Sequence, residues 1–260
     1  MTPTQATPKL AHTLGQTQPA LTFDDVSLTF PDGTKALSDV SFAISGGEFV
    51  SVVGPSGCGK STLLKITAGL LRETTGTCTL GPGNLGYVFQ DATLLPWRTV
   101  EANVELLGEL EGVPKAQRKQ AAADAIKLVG LSGFEDKYPK SLSGGMKMRA
   151  SLARALTLAP NVFLFDEPFG ALDEITRERL NDELLELFAR EQFAGLFITH
   201  SIAEAVFLST RVLVMSGRPG RIVGDFPVEF PYPRVPDLRF EPAFGELCGQ
   251  VSHALRGAHA

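Results

Sequence analysis

Cysteine is scarce in this chain of 260 residues: Cys58, Cys78 and Cys248 are odd in number and far apart. They make no disulfide framework, so a reducing cytosol is expected. Positive charge is short as well. Acids outnumber bases, 29 to 24, which argues against a broad basic field and against nucleic acid as a partner. No uninterrupted apolar run approaches the roughly 20 residues that span a bilayer. The opening MTPTQATPKLAHTLGQTQPA lacks a basic cluster followed by an apolar block, so it is not a secretory signal. Residues 1–20 read as a disordered tail. The expectation is a soluble chain that meets a membrane only through a partner. What the chain does have is 43% hydrophobic residues, enough to bury a sizeable core in one domain.

Strand and helix patterns alternate along it. Leu21–Phe30 and Val40–Ile44 alternate apolar and polar residues, with a turn at Pro31-Asp32-Gly33. Glu48–Gly54 is a short apolar run that feeds a glycine-rich loop. KSTLLKITAGLL follows at helical spacing and ends by Gly76 at the latest. Asn84–Phe89 reads as a strand. From about 91 to 156 the pattern is helical, and one helix opens near Pro114. NVFLFDE, GLFITH and Arg211–Met215 read as strands, with a long charged helix over Glu174–Glu191. PVEFPYPRVPD is proline-rich and extended, and Phe240–Arg256 reads as a last helix. The alternation predicts an α/β core of mostly parallel strands with a helical insertion.

GPSGCGKST matches G-x-x-x-x-G-K-[ST] and sits between a predicted strand and a predicted helix, the context this motif requires. Its residues are Gly54, Pro55, Ser56, Gly57, Cys58, Gly59, Lys60, Ser61 and Thr62. Glycines let backbone N–H groups curl around phosphate oxygens, and the helix start adds partial positive charge. Lys60 is placed to reach the outer phosphates, and the Ser61 hydroxyl to ligate magnesium. Cys58 is either a small filler or, near a helix N-terminus, a thiol of lowered pKa whose alkylation blocks nucleotide binding.

Asp166 and Glu167 close an apolar strand, where α/β sheets face their ligand crevice. An aspartate there can hold magnesium, and the next glutamate can deprotonate an attacking water. His200 closes GLFITH in the same way and can bond a γ-phosphate, or cap the following helix. His12, His253 and His259 read as solvated. Gln90 closes LGYVFQ and can bridge magnesium and water, or be a plain loop residue. A second stretch, SLSGGMKMR, puts Ser143, Gly144 and Gly145 before a helix, an arrangement able to hold an anion.

GPSGCGKST, VFQ, LSGG, FLFDEP, ALD and ITH, in this order, resemble the nucleotide-binding subunit of ATP-binding cassette (ABC) transporters over about Leu21 to Gly224. The resemblance implies a P-loop NTPase (RecA-like) α/β core, an N-terminal antiparallel β subdomain and an inserted helical subdomain. In these terms residues 21–230 form the ATPase domain and 231–260 a C-terminal extension. It implies ATP and Mg2+ as cofactors, and a head-to-tail homodimer in which Ser143, Gly144 and Gly145 grip the partner's ATP. Phe30 would stack on adenine, and Asp173 would lie on the loop that faces the partner subunit. LLPWRTVEANV, FDEPFGALDEITR and MSGRPGRIV are similar to the importer group for nitrate, sulfonate, taurine and pyrimidine precursors. That group implies two integral-membrane permease subunits, an extracytoplasmic solute-binding protein, and a peripheral place on the cytoplasmic face of the cell membrane. Leu94, Leu95 and Trp97 are either a permease-docking cluster or core. The common family form has Gln where Met146 and Met148 stand. Met146 removes the return bond of a capping box while leaving Ser143 able to cap. Soluble cassette ATPases that act on DNA or ribosomes usually carry two cassettes or a long coiled coil. A non-catalytic cassette would not need Glu167 and His200.

Overall fold

The computed structural model of the chain describes residues 19–258. The expected tail lies outside them apart from Pro19 and Ala20, as do His12 and His259. Nine strands and eight α-helices follow. β1 (Leu21–Thr29) and β2 (Lys35–Ile44) form a hairpin, then come β3 (Phe49–Val53), α1 (Lys60–Thr67), β4 (Thr75–Leu80) and β5 (Leu85–Val88). The helical block holds α2 (Val100–Val104), α3 (Leu106–Leu110), α4 (Lys115–Leu128) and α5 (Gly144–Leu156). β6 (Val162–Asp166), α6 (Glu174–Glu191), β7 (Ala194–Ile198), α7 (Ile202–Leu208), β8 (Arg211–Met215), β9 (Ile222–Pro227) and α8 (Pro242–Gly257) complete the chain.

Two sheets result. β2-β1-β4 is antiparallel, and the larger sheet runs β5-β6-β7-β3-β8-β9, parallel except for the β9 edge. Because β5, β6, β7 and β3 are parallel neighbours, their carboxyl ends open on one side, and the loops that carry function leave from there. The inner strands β3, β6 and β7 are largely apolar on both faces, as a sheet covered on both sides requires. Period-2 alternation divides them cleanly. Phe49, Phe163, Phe165 and Phe197 turn to a face packed by α6, α7 and α8, whereas Val50, Val52, Leu164, Leu196 and Ile198 turn to one packed by α1 and the antiparallel sheet. On the first face the Phe49 ring lies 5.2 Å from Phe188 and 5.8 Å from Phe197 by centroids, within the range of favourable aromatic pairs.

The helical block has its own small core of Val100, Val104, Ala122, Ala125, Ile126 and neighbours. Its first helix begins at Val100 rather than near 91. Residues 91–99 are instead an irregular loop organised by Asn103, which is fully buried. The Asn103 amide donates to the carbonyls of Leu95, Arg98 and Thr99, and its oxygen accepts from Leu95 N at 2.7 Å. A buried side chain that satisfies the loop's own backbone replaces helical bonds there. β4 and β9 are the two strands the sequence pattern did not announce. Gly76 interrupts β4 because a Cβ there would meet Asp25 O at 2.3 Å, and its φ of 80° suits only glycine. β9 carries Gly224 and ends on Pro227, which weakens its strand signal and fits an edge. The C-terminal segment packs on the main body: Val228, Phe244 and Val251 join the phenylalanine-rich core. Among the described residues no helix is long and apolar enough to cross a membrane.

Candidate nucleotide site

The glycine-rich loop leaves β3 and enters α1 through Gly59, whose φ of 112° lies in the left-handed region. A Cβ on Gly59 would sit 2.7 Å from the Leu37 side chain and 3.1 Å from Ala36 O, so only glycine lets the loop lie against β2. No side chain caps α1, and the first-turn amides of a helix have no partner within it. The loop therefore keeps donors for an anion. Lys60 is 6% exposed and folds over the loop, donating to Gly54 O at 2.9 Å and Pro55 O at 3.0 Å. An ammonium has three donors, so one remains for a ligand. No carboxylate pairs with Lys60 among the described residues, which leaves its charge available to a phosphate.

Asp166 ends β6 beside this loop. Ser61 Oγ donates to its Oδ1 at 2.8 Å, and the Tyr87 hydroxyl approaches Oδ2 at 3.4 Å. Burial, then the Asp166 charge, pushes the Tyr87 phenol well up, so it stays protonated. A hydroxyl and a carboxylate oxygen side by side are the hard oxygen donors that suit magnesium. No group of three or more His, Cys, Asp or Glu side chains that could hold a metal ion lies among the described residues, so these donors would supply only part of such an ion's shell. Glu167 follows at φ 46°, a left-handed backbone unusual for glutamate. Its amide donates to Ile198 O at 3.0 Å, and its Oε2 lies 3.4 Å from His200 Nδ1. The structure thus brings Lys60, Ser61, Asp166, Glu167 and His200 to one sheet edge. Gln90 is exposed in the bend after β5, at the same edge. Phe30 is half-buried at the tip of the β1–β2 hairpin.

Ser143, Gly144 and Gly145 stand apart. Ser143 Oγ accepts from Met146 N at 3.3 Å and caps α5. A Cβ on Gly144 would lie 3.0 Å from Leu172, and one on Gly145 would lie 3.0 Å from Thr176. The glycines let this chain's α5 start sit close against the start of α6. No hydrogen bond joins them to the phosphate loop. Asp173 caps α6, accepting from Thr176 N at 3.0 Å, and that amide bond holds its carboxyl below the usual range.

Cys58 resolves in favour of the filler. It is 1% exposed, and burial raises its thiol pKa instead of lowering it. The burial penalty outweighs the nearby Lys60 charge, so selective alkylation is not expected. Of the LLPW cluster, Leu94 packs on the helical core while Trp97 is 71% exposed. Two residues at the site were not singled out for it from sequence. Tyr87 is one; strand alternation with Phe89 was its only signal. Arg218 is the other. Its guanidinium reaches Gly57 O at 3.0 Å from the β8–β9 turn, and its charge helps to hold the Asp32 carboxyl below the usual range, behind the bonds from Thr34. MSGRPGRIV was notable only as a likeness. The signal within it is Gly220, where a Cβ would lie 2.2 Å from Cys58 O.

A parallel sheet with this loop after β3 and these acids at the end of β6 defines a phosphate-loop nucleoside triphosphatase. Likeness to known proteins is narrower. A family model described as ABC transporter matches residues 37–170. The nitrate import ATP-binding protein NrtD of Synechocystis sp. is 43% identical over 85% of this chain and 88% of its own. The aliphatic sulfonates import ATP-binding protein SsuB 1 of Pseudomonas savastanoi pv. phaseolicola is 43% identical over 87% and 92%. Among solved structures, cbiO1 of Clostridium perfringens, part of the ABC transporter complex cbiONQ, superposes with a TM-score of 0.75 at 26% identity, over 93% of this chain and 98% of that one. The dimeric cassette MJ0796 bound to ADP and Pi gives 0.70 at 29% identity, over 81% and 99%. The chain belongs to the ABC transporter family, of which it is an ATP-binding and ATP-hydrolysing subunit.

Proposed function

We propose that the chain powers a bacterial importer of a small anionic or heterocyclic solute, of the nitrate, sulfonate, taurine or pyrimidine-precursor type. The import reading rests on the two relatives named for import, each covered over most of its length. The chemical reading rests on one observation above the others: Glu167 and His200 meet at the edge of the sheet that also carries the uncapped phosphate loop.

Two subunits pair head to tail around two ATP molecules. Lys60 and the amides of Gly57 to Thr62 hold the outer phosphates, while Phe30 lies under the adenine. Ser61, Asp166 and Gln90 would hold Mg2+, which when bound supplies charge neutralisation at the β- and γ-phosphates. Glu167 takes the proton from the attacking water, and His200 Nε2 is free to bond the γ-phosphate because Nδ1 faces Glu167. Ser143, Gly144 and Gly145 of the partner subunit close the site, with Asp173 at the same seam. The exposed Trp97, held on the Asn103-braced loop, faces a permease, and the pair of permeases places the chain peripherally on the cytoplasmic side. The solute-binding protein acts only through them.

Glu167→Gln tests the centre. Turnover should fall by about 100- to 10,000-fold, the usual weight of a general base, with nucleotide affinity retained and an ATP-dependent dimer visible by light scattering. Wild-type turnover in that variant removes Glu167 as the base.

A further inference from the structure

The carbonyls that end α7 are taken up by two side chains from the proline-rich segment. Arg234 Nη1 donates to Val206 O at 3.1 Å and Phe207 O at 2.7 Å, and Nη2 donates to Ser209 O at 2.9 Å. The Tyr232 hydroxyl donates to Leu208 O at 2.6 Å. Residues 206 to 209 thus have every carbonyl satisfied by Tyr232 and Arg234. A helix end normally leaves such groups to water or a cap. Arg234 is 7% exposed, carries no carboxylate partner among the described residues and lies over the Tyr232 ring at 4.3 Å. A buried cation compensated by carbonyls and one aromatic face suits the negative end of a helix dipole. Arg239 extends the clamp: it covers the Phe207 ring and pairs with Asp182 of α6 at 3.2 Å.

The other end of α7 bears the candidate γ-phosphate histidine. Ser201 caps the helix, accepting from Glu204 N at 3.3 Å, and Ser201 N donates to Thr199 Oγ1 at 3.0 Å. Thr199 Oγ1 in turn donates to Glu204, which is buried. His200 sits between these anchors. α7 has only seven residues, about 10 Å at 1.5 Å per residue, so the clamp and His200 lie near its two ends. A tilt at its far end would act on His200 through the Ser201 cap, which directly follows it. The 3.4 Å separation of His200 Nδ1 from Glu167 Oε2 is at the margin of a hydrogen bond, where a small displacement decides whether the contact exists.

We propose that Tyr232 and Arg234 are positioning residues of the ATPase: by gripping the C-terminal end of α7 they set the place of His200 against Glu167 and the γ-phosphate. The inference rests on the proposed role of His200. It makes the segment 228–241 part of the catalytic apparatus and not a passive strap over the core.

The test is a mutant cycle on the full-length chain, with kcat, KM and the dissociation constant of a fluorescent ATP analogue measured well below the melting temperature. Arg234→Gln should lower kcat by about 10- to 100-fold, the scale of a misplaced catalytic group, with analogue affinity within about twofold because the phosphate loop is untouched. Arg234→Lys should recover part of that loss, and Tyr232→Phe should lose less. In a His200→Ala background, Arg234→Gln should have no further effect, since the two act on one group. A general loss of folded protein would act equally in both backgrounds, so an unchanged fold-loss beside His200→Ala overturns the proposal. If Arg234→Gln does not fold, the Tyr232→Phe cycle with His200→Ala carries the same decision. Wild-type turnover in Arg234→Gln, while His200→Ala is impaired, overturns the proposal alone. Equal turnover of wild type and His200→Ala removes the role of His200 and the proposal with it.

Discussion

Two helix starts in this molecule look alike in sequence and differ in structure. α1 and α5 both begin with glycines able to present amides to an anion. At α1 no side chain caps the helix, Lys60 is buried over the loop, and Ser61 and Asp166 stand side by side. At α5 the cap is already made by Ser143, and its first turn is packed on Leu172 and Thr176 of α6. The first start has every element needed to hold a charged phosphate within one chain. The second offers a helix dipole and a hydroxyl, but no acid to share a metal and no pocketed lysine. The difference supports the proposal that α1 is a site within one chain and α5 a surface that would be complete only when something brings a phosphate to it. In the proposed dimer that phosphate is the partner's.

Lys60→Ala is the strongest way to break this comparison. It removes a charge-assisted bond of about 1.5–3 kcal/mol, so nucleotide affinity should weaken about 10- to 150-fold. Calorimetry on the dilute, monomeric chain measures it directly. Unchanged affinity would mean that α1 does not hold the phosphate in one chain, and the contrast with α5 would collapse.

Ser143→Ala sharpens the same contrast from the other side. The monomer should bind nucleotide with unaltered affinity, since α1 is complete without α5. Two losses are expected instead. Stability should drop by about 1 kcal/mol for a lost N-cap, read by urea unfolding. In a Glu167→Gln background, ATP-dependent dimerisation should weaken. A monomer whose nucleotide affinity falls with Ser143→Ala would place both helix starts on one nucleotide in one chain, against the head-to-tail arrangement.

Much of this is legible in the sequence. The phosphate loop, the acids after β6 and the histidine after β7 each fall where an apolar run stops, and a parallel sheet turns that pattern into a common edge. α6 spans Glu174–Glu191, where the sequence reads as a long charged helix, because its length averages out local ambiguity. What stayed hidden depends on contacts that the local pattern does not announce. β4 is polar and broken by Gly76, so only its partner β1 explains it. The loop 91–99 carries apolar residues at helical spacing, yet a single buried asparagine diverts its backbone bonds. Cys58 stays open between two readings in the sequence for a related reason. Its neighbours in sequence argue for an ionised thiol, and its neighbours in space exclude water from it. Tyr232 and Arg234 read as an extended proline-rich segment, because nothing local reveals that their acceptors lie some 25 residues upstream.

The finest test concerns Met146. In the capping box a glutamine at this place would return a bond to the Ser143 backbone N–H. Here the Met146 side chain packs partly on the helical core, while its amide alone serves the cap. Met146→Gln should therefore gain about 0.5–1 kcal/mol for the hydrogen bond and lose part of the apolar contact, leaving stability nearly unchanged. Turnover should move only about twofold, since the group proposed to meet the partner's phosphate is Ser143, already oriented by its bond from Met146 N. Steady-state ATPase assays at saturating ATP decide it. A hundredfold gain would show that methionine holds α5 back from the partner's nucleotide. The second helix start would then be a regulated surface, set by one side chain on its first turn, rather than one merely waiting for its phosphate.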